Sequence, residues 1–215
     1  MKKSNIIPTI FSTNKKEFDK KLNTLLPITK KIQIDIMDGV FVLTKSVNPK
    51  YIPDLKAYDK DFEAHLMVCE PKKYFEKIKN KGFKKIIFHI ESFTSLTDVI
   101  QFKKFLKKQK ITHVLAINPR TRLDELIIKN FDFFLIMGVQ PGKEKQTLKQ
   151  STYNKIKIIR REKPNAKIQI DGGVNPKNAS KLFKTGANYL NSGSYISSNK
   201  DPKKALKTLI EQNKR

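Results

Sequence analysis

The chain has 215 residues, 38% of them apolar and 30% charged, which suits one domain or at most two small ones and excludes a fully disordered chain. Its single cysteine, Cys69, excludes a disulfide framework, and its longest apolar stretch, residues 131–139, is far shorter than the roughly 20 residues of a membrane span. The formal net charge of +25 comes from lysines spread along the whole chain, which favours a solvated outer face over a nucleic-acid-binding surface.

Short apolar, β-branched runs alternate along the chain with longer Lys-rich segments of helical spacing. The predicted strands are residues 6–11, 31–37, 62–68, 85–89, 112–117, 131–137, 166–170 and 189–192. The predicted helices are residues 15–25, 53–58, 71–81, 96–109, 122–129, 148–162, 176–184 and 201–211. Several helices begin with an early proline, as in Glu70-Pro71 and Asn175-Pro176.

Eight strand–helix units in one chain predict an α/β protein with a closed (β/α)8 TIM barrel, formed by a single domain over residues 1–215. An open doubly wound sheet is the main alternative. It would usually carry a glycine-rich turn after the first strand, where this chain has Ser12-Thr13-Asn14. In a barrel, the active site lies at the carboxyl ends of the strands.

Polar side chains recur near the carboxyl ends of three predicted strands. Because side chains alternate along a strand, Gln33 and Asp35 share the face opposite the isoleucines of residues 31–37. His65 lies near the end of the third strand, and Asp171 ends the seventh. Each residue alone is more often a satisfied polar group. Together, Asp35, His65 and Asp171 predict a divalent-cation site, with the amide oxygen of Gln33 as a further candidate ligand.

Two glycine-containing turns follow the seventh and eighth strands. They contain Gly172, Gly173, Gly193 and Ser194. Loops at these positions of a barrel often bind phosphate through backbone N–H groups, and glycine lets the backbone approach closely. Turns use glycine for other reasons as well, so the indication comes from the pair of positions rather than from either turn alone.

Three methionines lie at or near the ends of predicted strands: Met37, Met67 and Met137. One interpretation is ordinary core filling. The other is a dry, polarisable cap over a reacting carbon, which would strengthen local electrostatic interactions. The sequence does not separate the two.

At this point the chain resembles the ribulose-phosphate 3-epimerase family, whose motifs recur here in the family's order and in nearly every unit. The matching stretches are IIPTIFST at 6–13, QIDIMDGVFV at 33–42, EAHLMV at 63–68, FHIES at 88–92, LAINPRT at 115–121, LIMGVQPG at 135–142, IQIDGGVNP at 168–176 and GANYLNSGSYI at 186–196.

The resemblance implies a TIM barrel of the ribulose-phosphate-binding type that interconverts D-ribulose 5-phosphate and D-xylulose 5-phosphate in the pentose-phosphate pathway. It implies that Asp35 and Asp171 are the acid/base pair acting through an enediolate, and that both help His65 hold one divalent cation (Zn, Mn, Fe or Mg). It further implies substrate or phosphate contacts and a methionine cap. The implied contacts are Thr9, His65, Gly142, Gly172, Gly173, Gly193 and Ser194, and the cap is Met37, Met67 and Met137.

Two departures from the family pattern affect the expected chemistry. Gln33 stands where the family has a metal-binding His, which predicts poorer zinc retention and more tolerance for manganese or magnesium. After Pro141-Gly142 the family continues Phe-Gly-Gly, but this chain continues Lys143-Glu144-Lys145, so charge from a lysine could replace backbone contacts to the phosphate. For His89 and Glu91 we expect a structural or supporting role behind the metal ligands.

Competing functions remain open at this stage. They are an epimerase for another ketose phosphate such as a hexulose phosphate, a phosphosugar-binding barrel with little turnover, and a basic nucleic-acid-associated protein. Members of the family commonly self-associate, so a homo-oligomer is also expected. The start of the sequence lacks a signal-peptide pattern, and we predict a cytoplasmic protein with no membrane partner.

Overall fold

Eight parallel strands, each paired with its neighbours in chain order, close into a barrel in the computed structural model, which describes residues 5–213. The pairing of β1 with β8 closes the sheet, with Ile6 opposite Leu190. The strands are β1 (Ile6–Ile10), β2 (Lys31–Met37), β3 (Asp61–Met67), β4 (Lys85–His89), β5 (Thr112–Ile117), β6 (Phe133–Met137), β7 (Lys167–Asp171) and β8 (Tyr189–Ser192). The predicted TIM-barrel class is confirmed, whereas the extent of the single domain stays a prediction.

Helices cover the outside of the barrel. They are α1 (Lys15–Leu25), α2 (Pro71–Ile78), α3 (Leu96–Lys108), α4 (Glu125–Asn130), α5 (Ser151–Glu162), α6 (Pro176–Thr185), α7 (Ser194–Ser197) and α8 (Pro202–Gln212). Their starts follow local chemistry: the Asn14 side chain accepts a hydrogen bond from the Glu17 backbone N–H at the start of α1, and Asn175 and Asn178 form a capping box around Pro176. Within residues 5–213, no helix is long and apolar enough to cross a membrane.

The helix predicted over residues 53–58 is wrong. This part of the β2–β3 connection contains only a 3-10 turn, Leu55–Ala57, preceded by another at Pro49–Tyr51. The Asp54 side chain accepts a hydrogen bond from the Lys56 backbone N–H, which closes a turn, and β3 begins at Asp61 before a longer helix could form. The four-residue α7 was not predicted.

Two separate hydrophobic regions hold the barrel together. The larger lies between the outer face of the strands and the helices, where Ile32, Ile34 and Ile36 of β2 are fully buried. The smaller lies inside the barrel and consists of Ile87, Val114, Ala116, Leu135 and Met137 with Phe133 against them. The isoleucines of β2 therefore face the helices, and Gln33 and Asp35 face the interior, as the alternation predicts.

Candidate active site

Three ionisable side chains meet at the carboxyl end of the barrel. The Nδ1 atom of His65 lies 3.2 Å from Oδ1 of Asp35 and 3.2 Å from Oδ2 of Asp171. All three residues are buried, and one potential ligand atom from each lies within 4.8 Å of the others. The convergence predicted from the sequence is therefore present in the fold, and the set could hold a metal ion.

Strand register places these groups side by side. Asp35 of β2 is paired with His65 of β3, and Asp171 of β7 is paired with Asn191 of β8. Because β1 carries Thr9 opposite Gln33 and closes the barrel between β8 and β2, groups far apart in sequence converge on one interior space.

The orientation of the Gln33 amide follows from a buried hydrogen-bond network below the site. The Nδ2 atom of Asn191 lies 3.1 Å from Oε1 of Glu63, a carboxylate oxygen that accepts, so Asn191 must donate. The same Nδ2 donates to Oε1 of Gln33 at 2.5 Å. The amide nitrogen of Gln33 therefore faces the site. There Nε2 donates to Asp35 Oδ1 at 2.9 Å and to Asp171 Oδ2 at 2.7 Å.

That Gln33 offers its amide oxygen to a metal stays a prediction, and the orientation of the amide in this structure does not favour it. That oxygen accepts from Asn191, and the amide hydrogens point at the two carboxylates instead. The physical reason lies below the site, because Glu63 also accepts from Lys85 Nζ at 2.6 Å and from Gln169 Nε2 and so fixes Asn191 as the donor.

A second hydrogen-bonded chain supports His65 from behind. Nε2 of His65 lies 2.8 Å from Nε2 of His89, and Nδ1 of His89 lies 3.2 Å from Oε2 of Glu91. The other Glu91 oxygen accepts from the Asn118 backbone N–H at 2.8 Å. Glu91 can only accept, so His89 carries its proton on Nδ1 and receives a hydrogen bond from His65 on Nε2. In neutral His65, Nδ1 is then the unprotonated nitrogen that faces the two carboxylates.

Burial and mutual repulsion change the protonation of the site. Burial, together with the nearby negative charge of Asp171, raises the pKa of Asp35 to about 6. Burial alone would lower the pKa of His65, but its hydrogen bonds to Asp171 and Asp35 outweigh this and raise that pKa to about 9. Burial lowers the pKa of His89, in agreement with its neutral role in the chain behind His65.

The three side chains lie at the bottom of a pocket that opens between the loops at the carboxyl ends of the strands. Its volume is about 90 Å³. Thr9 lines it with a buried hydroxyl for which residues 5–213 supply no hydrogen-bond partner. Met67 and Met137 also line it, whereas Met37 packs beside Met67 in a small cluster with Val42.

The predicted phosphate-binding residues all line this pocket. They are Gly142, Gly172, Gly173, Gly193 and Ser194. Gly172 has a φ of +95°, and a Cβ there would lie 2.4 Å from Cγ2 of Val139, so both backbone conformation and space require glycine. The loops after β7 and β8 thus form one wall of the pocket beside Asp171.

The segment after β6, residues 138–146, forms the rim beside this wall. The Thr44 hydroxyl donates to the Gly142 carbonyl at 2.7 Å, and Gly142 lies directly against Val42. Lys143 and Lys145 are exposed at the rim, whereas the side chain of Glu144 between them is only 24% exposed and has one fully buried oxygen. All three residues line the pocket, so the sequence departure at this loop brings a half-buried carboxylate to it together with two exposed lysines.

Comparison with known proteins identifies the family of the chain that forms this site. The model of the ribulose-phosphate 3 epimerase family matches residues 5–197. The chain belongs to the ribulose-phosphate 3-epimerase family. It is 32% identical over 183 residues to ribulose-phosphate 3-epimerase of Bacillus subtilis (strain 168), covering 81% of this chain and 83% of that protein. It is also 32% identical over 218 residues to the chloroplastic ribulose-5-phosphate-3-epimerase of Arabidopsis thaliana, covering 95% of this chain and 76% of that protein.

Solved structures of other proteins share the fold. A 3-hexulose-6-phosphate synthase superposes with a TM-score of 0.66 at 14% identity and covers 97% of this chain and 99% of its own. At that identity the likeness concerns the barrel alone. The family predicted from the sequence motifs is confirmed, and with it the classification of the chain as an epimerase-type enzyme.

Two residues at the site of this epimerase-family member were missed in the sequence. Asn191 lies on the inner face of β8. A polar residue inside a short strand indicates a side chain that faces the barrel interior, so this residue could have been found from the sequence. Glu144 lies in a loop, and nothing in the local pattern indicates which of the three charged residues 143–145 turns inward.

Proposed function

We propose that this protein is a ribulose-phosphate 3-epimerase that interconverts D-ribulose 5-phosphate and D-xylulose 5-phosphate by two-carboxylate acid/base catalysis. The observation that carries the proposal is the pair of buried carboxylates, Asp35 and Asp171, each 3.2 Å from the same imidazole nitrogen of His65. Family membership supports the choice of reaction.

The donor set suits one divalent cation. Asp35, His65 and Asp171 supply two carboxylates and, once His65 has lost its proton, an imidazole nitrogen. Burial, together with the nearby charge of Asp171, raises the pKa of Asp35, and a cation at this position would favour the ionised carboxylates. A cation held by these residues would polarise the C2 carbonyl of a bound ketose and stabilise negative charge there. Zn, Mn, Fe and Mg are all candidates.

The chain's own residues would move the proton. One carboxylate accepts the proton from C3, and the electron pair of the C–H bond moves into the C2 carbonyl to give an enediolate. The other residue of the pair, in its protonated form, returns a proton to C3 from the opposite face.

Other pocket residues would hold and shield the substrate. The unpartnered Thr9 hydroxyl could bond a sugar hydroxyl, and the glycine loops at 172–173 and 193–194 would surround the phosphate. Met67 and Met137 would limit water at the reacting carbon. Self-association, the cytoplasmic location and the absence of nucleic-acid binding stay predictions.

The test uses the metal-loaded protein and ribulose 5-phosphate in heavy water. We expect deuterium to enter C3 as xylulose 5-phosphate forms, and both rates to fall by about 10³-fold or more in Asp35→Asn and in Asp171→Asn. Asp19→Asn, an equal charge change on exposed α1, should retain the wild-type rate.

The proposal fails if the wild-type protein exchanges no deuterium, or if either Asn variant keeps full exchange. A six-carbon ketose 6-phosphate, offered in parallel, distinguishes the pentulose substrate from a hexulose one. Tight sugar-phosphate binding without exchange would instead indicate a binding protein.

A further inference from the structure

The carboxylate of Glu144 lies in the part of the pocket that is bounded by the glycine loops. Its Oε1 atom lies only 3.5 Å from the place where a Cβ on Gly193 would be. Glu144 and the backbone around Gly172, Gly173 and Gly193 line the same space. A phosphate group resting on these loops would need the volume that the carboxylate now fills.

Glu144 is poorly compensated in this position. Residues 5–213 supply no hydrogen-bond partner for its buried Oε1. Its Oε2 lies 4.0 Å from Nζ of Lys21, which already donates to the Phe11 carbonyl at 2.6 Å and pairs with Glu17 at 2.8 Å. Burial accordingly raises the pKa of Glu144. A partly buried carboxylate with so little support adds little to fold stability, so its position is easily exchanged for another.

The backbone beside Glu144 is also held in an unfavourable conformation. Lys145 has a φ of +58°, in the left-handed region that residues with a Cβ seldom adopt. The Gln146 side chain bridges the segment by donating to the carbonyls of Gln140 at 2.6 Å and Lys143 at 2.9 Å. The segment is therefore held by these side-chain hydrogen bonds as well as by burial of Val139 and Pro141.

Glu144 is one of the residues that enclose a small pocket. Its volume of about 90 Å³ is well below the roughly 300–1,000 Å³ typical of ligand pockets. With a net charge of +25, the protein also attracts small anions without discrimination. A carboxylate at the phosphate-binding wall lowers the affinity of every anion that binds there, and a free anion makes no further contacts that offset this cost.

We propose that Glu144 occupies the phosphate subsite in the ligand-free protein, so that a phosphate-bearing ligand must displace its carboxylate to bind. This inference rests on the proposed function, because it assumes that the glycine loops receive a phosphate. Inorganic phosphate, which contacts only this subsite, is excluded, whereas a sugar phosphate gains contacts with Thr9 and the Asp35–His65–Asp171 group.

The test measures inorganic phosphate binding by calorimetry at fixed ionic strength for the wild type, Glu144→Gln and Glu211→Gln. Glu144→Gln keeps the size of the side chain and removes its charge. Glu211→Gln makes the same charge change on the exposed end of α8, which runs toward the opposite end of the barrel. We expect phosphate to bind at least about ten-fold more tightly to Glu144→Gln than to the wild type, and equally to Glu211→Gln and the wild type.

Equal affinity in Glu144→Gln and Glu211→Gln overturns the proposal, and so does an absence of phosphate binding in all three proteins. The heavy-water assay on the same samples distinguishes failure of the Glu144 proposal from failure of the proposed function. Tighter phosphate binding in Glu144→Gln without C3 exchange in the wild type would refute the epimerase and leave the Glu144 subsite standing. Full C3 exchange with unchanged phosphate affinity would support the epimerase and refute the Glu144 proposal.

Discussion

The two halves of the barrel interior differ in chemistry. The half formed by β1–β3 and β7–β8 is polar, with Gln33, Glu63, Gln169 and Asn191 all buried beneath the acid pair. The other half, formed mainly by β5 and β6, is filled by Val114, Ala116, Leu135 and Met137. The same architecture thus supports the site on one side and ordinary apolar packing on the other.

This division shows how the site is kept rigid. A buried polar layer is costly unless its groups find partners, and here Glu63 accepts from Gln169 and Asn191, while Asn191 fixes the Gln33 amide. The apolar half needs no directional partners and contributes stability through burial and close packing. The polar half should therefore be the more sensitive to a single missing partner.

The largest stability effect should come from Glu63→Gln. The change leaves Lys85, 17% exposed, without its carboxylate partner, so we expect the free energy of unfolding to fall by about 3–5 kcal/mol in urea titrations. Asp61→Asn is the matched control, because Asp61 pairs with Lys84 at the same distance of 2.6 Å on the surface and should cost less than about 1 kcal/mol. Equal losses would show that burial does not govern these pairs.

In the apolar half, Leu135→Ala should lower the free energy of unfolding by about 2–5 kcal/mol, because it leaves a cavity where Leu135 is fully buried. Metal affinity of the folded variant should match the wild type, since Leu135 does not line the pocket. Leu126→Ala, at a position 61% exposed, should stay within about 0.5 kcal/mol of the wild type. Loss of metal affinity in Leu135→Ala would show that the two halves are coupled.

Gln33→His should strengthen metal binding by about ten-fold, or about 1.4 kcal/mol. The change removes the amide hydrogens directed at Asp35 and Asp171 and offers an imidazole nitrogen in their place. Chelator competition with Zn²⁺ and Mn²⁺ measures the affinities, with the gain expected to be larger for Zn²⁺. Gln109→His, on an exposed residue, controls for adding a histidine. Unchanged affinity would mean that Gln33 does not influence the metal.

The smallest effect should be the pH dependence contributed by Glu91. Although burial opposes it, the hydrogen bond from His89 and other donors hold the pKa of Glu91 below its ordinary value of 4.5. A depressed pKa in the folded state adds stability above pH 4.5 that is lost as the pH falls through the folded value. Glu91→Gln should therefore lose about 1 kcal/mol at pH 6 and show a shallower decline in unfolding free energy from pH 5 to pH 3. Parallel pH profiles of the unfolding free energy in Glu91→Gln and the wild type would contradict this expectation.

Much of the fold follows from local sequence rules. Residues 31–37, 85–89, 112–117 and 189–192 were predicted with the bounds that the structure gives, because β-branched runs between polar segments specify buried strands. The alternation of side chains along the strands was sufficient to predict that Asp35, His65 and Asp171 meet at one end of the barrel. The helix predicted at 53–58 failed because short proline-containing segments form turns as readily as helices.

The finer organisation of the site depends on long-range contacts that local patterns do not encode. The direction of the Gln33 amide is set by Asn191 and, through it, by Glu63, residues that only barrel closure brings together. The inward position of Glu144 depends on a loop whose backbone conformation no periodicity predicts. Local sequence therefore predicts which groups meet, whereas the closed sheet decides how each one is oriented.

The hydrogen bond from Thr44 to the Gly142 carbonyl has a mechanical consequence. It ties the connection after β2 to the connection after β6, with Val42 packed against Gly142 beside it. If residues 142–146 move outward, either this hydrogen bond breaks or residues 42–44 move with them. The connection after β6 at the barrel mouth is thus coupled to the connection that continues directly from the strand carrying Asp35.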